Sequence, residues 1–127
     1  MKIHHIAIYV RDLERTKAFY ERYFSAKANA QYHNPKSGLK TYFLSFADGC
    51  KLELMTRPNI TEVETDKEHL GYIHLAIGVG DKESVDKLTN QLREDGYTIF
   101  SEPRTTGDGY YESCVSDPDG NRIELVV

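Results

Sequence analysis

Two histidines and two glutamates recur in register along this chain of 127 residues. Residues 5–10 read HIAIYV and residues 74–79 read HLAIGV, an offset of 69. Residues 48–55 read DGCKLELM and residues 119–126 read DGNRIELV, an offset of 71. Each copy carries a histidine near its start and a glutamate near its end: His5 with Glu53, and His74 with Glu124. A lone strand histidine is ordinarily structural or solvated, and a lone glutamate between apolar residues ordinarily faces water. Four such residues in repeat register point instead to one metal site built by two modules. Two imidazoles and two carboxylates form a mixed nitrogen and oxygen set suited to Zn, Ni, Co, Fe or Mn. On an octahedral ion they leave two positions for water or for a chelating substrate.

Alternation along the flanking residues gives the ligand argument its force. Ile6, Ile8 and Val10 fall on one side of a strand over about Lys2–Val10, with His5, Ala7 and Tyr9 on the other. His4 then falls opposite His5 and is not expected to be a ligand. Leu52 and Leu54 flank Glu53, and Ile123 and Leu125 flank Glu124, so each acid points away from its apolar neighbours. A carboxylate inside a β-rich domain is costly unless paired or bound to metal. His33 and His69 have no repeat partner and are expected at the surface.

The elements that must carry these residues follow from local signals. Asp12 is placed to cap a helix running to about Phe24, and Asp81 to cap one running to about Asp95, where Gly96 suits a helix end. After the first helix a β segment runs to about His33, followed by a turn at Asn34-Pro35 and Ser37-Gly38. Strands are expected over Thr41–Phe46 and Lys51–Thr56, joined at Asp48-Gly49. In the second half strands are expected over Tyr72–Val79, Tyr97–Ser101, Tyr110–Ser116 and Arg122–Val127, the last two joined by Asp117-Pro118-Asp119-Gly120. Each half therefore reads β-α-β-β-β: module 1 over about 1–57, a polar linker over about 58–70, and module 2 over about 71–127. The length suits a single α+β domain in which the halves fold together or pair between chains.

Net charge is −4 and no basic run is present, which argues against nucleic acid as a partner. Cys50 and Cys114 are too few for a disulfide framework and are expected to be reduced. The start lacks the apolar core and small-residue cleavage site of a signal peptide, and no apolar run is long enough to span a membrane. A soluble, cytoplasmic protein is expected.

The opening HIAIYVRDLE, then KLEL, GYIHLAIGV and the closing DPDGNRIELVV resemble the vicinal oxygen chelate superfamily, most closely its glyoxalase I-like and bleomycin-resistance members. The resemblance spans nearly the whole chain. It implies two βαβββ modules whose curved mixed sheets surround a metal cavity, with His5, Glu53, His74 and Glu124 as ligands of one divalent ion (Ni, Co or Zn). It implies a lyase or isomerase that converts a 2-oxoaldehyde–thiol hemithioacetal to a 2-hydroxyacyl thioester through an enediolate. Glu124 is the implied base and Glu53 its symmetry-related counterpart. A homodimer is implied as well.

Bacterial glyoxalase I has an arginine where Tyr9 stands and an asparagine where Arg57 stands. Its glycine-rich basic stretch is replaced here by Arg104 to Tyr111. Tyr9, Arg57, Arg104 and Tyr111 are thus the candidate substrate contacts, and these departures leave glutathione, another thiol or no thiol open as the substrate's partner. The competing readings are a thiol transferase, an acyl-CoA epimerase, and a drug-binding resistance protein. Glu53 and an intact ligand set count against all three.

Overall fold

The computed structural model describes residues 3–62 and 70–127. The chain divides into two compact units, Met1–Val63 and Glu64–Val127. The first contains β1 (Ile6–Tyr9), α1 (Leu13–Phe24), β2 (Lys27–Ala28), β3 (Tyr32–Asn34), β4 (Leu39–Ser45) and β5 (Lys51–Thr56). The second contains β6 (His74–Gly78), α2 (Lys82–Glu94), β7 (Ile99–Thr105), β8 (Tyr111–Ser116) and β9 (Arg122–Val126). Both sheets are mixed, in the orders β1-β5-β4-β2, with β3 also on β4, and β6-β9-β8-β7. In each, the first strand runs parallel to the last and the other pairings are antiparallel. This parallel pairing lays the start of a module beside its end, setting Ala7 opposite Glu53 and Ala76 opposite Glu124.

Each helix covers one face of its own sheet. Asp12 Oδ1 accepts the backbone N–H groups of Glu14 and Arg15 at 3.0 Å, and Asp81 Oδ1 accepts that of Ser84 at 2.8 Å, satisfying donors the first turn leaves open. α1 buries Leu13, Thr16, Phe19 and Tyr20, and α2 buries Val85, Thr89 and Leu92. Against them the sheets bury Leu44, Leu52 and Leu54 in one unit and Val115, Ile123 and Leu125 in the other. Burial of these side chains at about 1.5–3 kcal/mol each fixes which face each strand turns inward. The polar residues in this layer are paired: Thr89 Oγ1 lies 2.7 Å from Ser113 Oγ, and Tyr42 donates to Glu14 at 2.6 Å. The Asp117–Asn121 turn is held by the Asp117 carboxylate, which accepts the N–H groups of Asp119 and Asn121 at 2.9 Å.

Several elements differ from the sequence reading. β1 begins at Ile6 rather than near residue 2, leaving His4 and His5 ahead of the strand. The segment after α1 splits into β2 and β3 around Asn29, whose backbone N–H donates to the Phe43 carbonyl while its side chain accepts from the Phe43 N–H. β7 runs on to Thr105, through Pro103. Pro103 is tolerated because β7 is an edge strand, and two register shifts against β8 accompany it. Lys2, His69 and most of the expected linker lie outside the described residues. Among those described, no helix is long and apolar enough to cross a membrane.

Leu54→Ala and Leu125→Ala, each emptying a fully buried position, should cost about 2–5 kcal/mol of unfolding free energy. Lys51→Ala on an exposed position should stay within about 0.5 kcal/mol. Urea unfolding measures all three, and equal losses would contradict the assignment of faces.

Candidate metal centre

In the first unit, strand period two puts Ala7, Tyr9, Glu53 and Met55 on the face turned away from α1. His5 Nε2 stands 3.5 Å from Glu53 Oε2, and the Glu53 side chain is 16% exposed. Phe43 is the β4 partner of Glu53, and its ring meets the His5 ring edge-on at 5.2 Å between centroids. Tyr9 lies two residues along the same face, half-exposed, with the Arg57 guanidinium 5.6 Å from its ring centroid. His4 is not turned away from His5, as alternation suggested: their Nδ1 atoms are 2.8 Å apart. Both precede β1, so strand alternation does not govern them.

The second unit repeats the arrangement with different surroundings. His74 Nε2 stands 3.1 Å from Glu124 Oε2. Cys114 occupies the place beside Glu124 that Phe43 holds beside Glu53, and Glu112 and Arg104 lie on the same face in paired register. Arg104 donates to Ser101 Oγ at 3.2 Å and stands 3.6 Å from Glu112. Arg122 is the register partner of His74, with its guanidinium 5.1 Å from the Phe100 ring centroid. Burial, the largest influence, raises the Glu124 carboxyl above its ordinary value; His74 and Arg104 oppose this, and Glu112 and Asp108 reinforce it. Burial likewise pushes the Cys114 thiol up to about 11, so it is no thiolate at neutral pH.

Of the four expected substrate contacts, Tyr9 and Arg57 meet each other on the Glu53 side, and Arg104 shares the face of Glu124. Tyr111 does not. It alternates with Glu112 onto the face of buried Ser113, and its hydroxyl donates to Asp86 of α2 at 2.7 Å. His33 is exposed, as expected. The sequence reading passed over Ala7 and Ala76, the small residues paired with each glutamate, although their recurrence in HIAIYV and HLAIGV was the available signal. It also passed over Cys114 and Arg122, whose placement depends on register.

Among the described residues, no group of three or more His, Cys, Asp and Glu side chains is gathered to hold an ion; each unit brings together one pair. The donor chemistry of the pairs fits a divalent cation. Two donors about 2.1 Å from one ion lie about 3.0 Å apart at a right angle and about 3.4 Å apart at the tetrahedral angle. The observed separations of 3.1 and 3.5 Å lie close to those values.

The comparisons with known proteins accord with this architecture. Residues 2–125 match the family model of the Glyoxalase/Bleomycin resistance protein/Dioxygenase superfamily, and the chain belongs to that superfamily. The uncharacterized protein YwkD of Bacillus subtilis (strain 168) is 34% identical, over 97% of this chain and 94% of its own. The lactoylglutathione lyase of Haemophilus influenzae is 28% identical, over 99% of this chain and 92% of its own. The trypanothione-dependent glyoxalase I of Leishmania major is 29% identical, with a TM-score of 0.77 over 99% of this chain and 86% of that one.

The raised Glu124 carboxyl has a consequence for stability. The unfolded chain ionises this group at its ordinary value and the folded chain at a higher one. Between those values the native state holds more protons, so stability from this group falls as pH rises and stays lost above the window. Metal-free Glu124→Gln should therefore melt higher than the parent at neutral pH, with the advantage closing on acidification. Melting curves across pH test this, and a variant less stable at neutral pH would contradict it.

Proposed function

We propose that the protein is a metal-dependent lyase or isomerase of the glyoxalase I type. Its substrate is the hemithioacetal of a 2-oxoaldehyde and a thiol, and its product a 2-hydroxyacyl thioester. The observation that carries this reading is the His–Glu pair that recurs in both units, each beside an alanine. In the proposal His5, Glu53, His74 and Glu124 hold one divalent ion, of which Ni, Co and Zn are the candidates. When bound, the ion supplies Lewis-acid stabilisation of negative charge on the two adjacent substrate oxygens.

The protein's own part is proton transfer and positioning. Glu124 takes the proton from the carbon bearing sulfur and returns it to the neighbouring carbon, by way of an enediolate. A carboxyl raised by burial is better matched to that exchange than an ordinary exposed one. Ala76 leaves space above Glu124 for the reacting carbons. Tyr9, Arg57 and Arg104 are the residues assigned to contact the thiol portion. The names of two relatives carry different thiols, glutathione and trypanothione, which supports a thiol set by such contacts rather than by the metal ligands.

The test is turnover of methylglyoxal hemithioacetals by metal-stripped protein reconstituted in turn with Ni, Co and Zn, with glutathione beside other cellular thiols. Turnover should appear with at least one metal and one thiol, and Glu124→Gln should lower kcat at least a hundredfold (on the order of 10²–10⁴). Arg104→Ala should act mainly on KM. Metal binding without turnover of any hemithioacetal would overturn the assigned reaction.

A further inference from the structure

We infer that Gly38 and Pro58 are positioning residues that set the Arg57 guanidinium beside the Tyr9 ring. The inference rests on the proposed function for its meaning, since Arg57 is there assigned to the thiol portion of the substrate. β4 and β5 pair with Lys40 opposite Thr56, and the same register carried two residues outward sets Gly38 opposite Pro58. Opposed residues share a face, so Pro58 follows Leu52 and Leu54, while Arg57 follows Glu53 and Met55. Proline has no N–H with which to extend the ladder, and its ring fills the space that glycine leaves. A Cβ on residue 38 would lie 2.7 Å from Pro58 Cδ and 2.8 Å from its Cγ. Residue 38 therefore has to be glycine for Pro58 to sit where it does.

Both sides of this contact are held in place. Asn34 Oδ1 accepts the N–H groups of Lys36 at 3.0 Å and Ser37 at 3.4 Å, and the Asn34 carbonyl accepts that of Gly38 at 2.9 Å. Gly38 itself has a φ of +70°, which glycine adopts without cost. Beyond Pro58, Asn59 takes a left-handed φ of 65°, and Glu62 pairs with Arg11 at 2.8 Å. The consequence falls on Arg57. A residue before proline is confined to extended backbone, so Arg57 carries the alternation of β5 past Thr56 and emerges on the Glu53 face. There Tyr9 stands opposite Met55, and the guanidinium comes to 5.6 Å from the Tyr9 ring centroid. Pro58 Cδ is bonded to the peptide nitrogen that follows Arg57. Pressure on the ring therefore moves the Arg57 backbone, because a proline ring cannot swing aside as a flexible side chain does.

Gly38→Ala crowds this contact and Pro58→Ala removes it. Gly49→Ala is the control: Gly49 also has a positive φ, +85°, but a Cβ there meets nothing within 4 Å. Nuclear Overhauser contacts between the Arg57 side chain and the Tyr9 ring, read in metal-free protein, should be present in the parent and in Gly49→Ala and lost in the other two. In metal-loaded protein turning over a hemithioacetal, Gly38→Ala and Pro58→Ala should each raise KM roughly fivefold or more while kcat holds within about twofold. In an Arg57→Ala background neither should raise KM further, because both act through that side chain. Pro58→Ala, which adds no atom, carries the test where Gly38→Ala does not fold. Overhauser contacts that survive the loss of the Pro58 ring, or KM increases that add to that of Arg57→Ala, overturn the inference. The expected contacts in a protein that turns over no hemithioacetal would uphold the placement of Arg57 and defeat the proposed reaction; turnover with KM and contacts indifferent to both substitutions would do the reverse.

Discussion

Burial of the leucine and isoleucine side chains beneath each helix is the constraint from which the candidate site follows. Leu52 and Leu54 in β5, and Ile123 and Leu125 in β9, are almost wholly removed from water. A strand's side chains alternate, so committing these residues inward commits Glu53 and Glu124 to the opposite face. A slip of one residue would exchange the two sets at a cost of several kcal/mol, which makes the register of the acids as secure as the core itself. Parallel pairing of the first and last strands then brings each acid beside the histidine at the module's start.

The two units place this common pair in different surroundings. Glu53 lies among Phe43, Ala7 and Tyr9, an apolar and aromatic setting. Glu124 lies among Cys114, Glu112 and Arg104, where charges of both signs and burial act on its carboxyl together. A duplicated module thus supplies two like donor pairs in unlike settings; under the proposed function the charged setting suits proton transfer and the aromatic one substrate contact.

Much of this was legible in the sequence because it rests on periodicity and repetition. The caps Asp12 and Asp81, the glycine turns and the alternating strands each leave a local signature, and the register of the four metal-ligating candidates follows from the offsets of 69 and 71. What escaped was set by tertiary context. Edge position decides that β7 continues through Pro103. The late start of β1 lets His4 fold against His5. Tyr111 is singled out in the sequence only as part of the stretch Arg104 to Tyr111, and only the pairing of β8 shows that it shares the parity of buried Ser113 and Val115.

The central claim is that the two His–Glu pairs serve one ion. Stoichiometry and affinity of Ni or Zn binding to the metal-stripped chain, compared with His5→Ala, His74→Ala and the double variant, test it most directly. The account predicts one ion per chain, a binding event weakened by either substitution, and a double variant little worse than the weaker single one. Two independent binding events, each abolished by its own histidine alone, or binding indifferent to both, would contradict it.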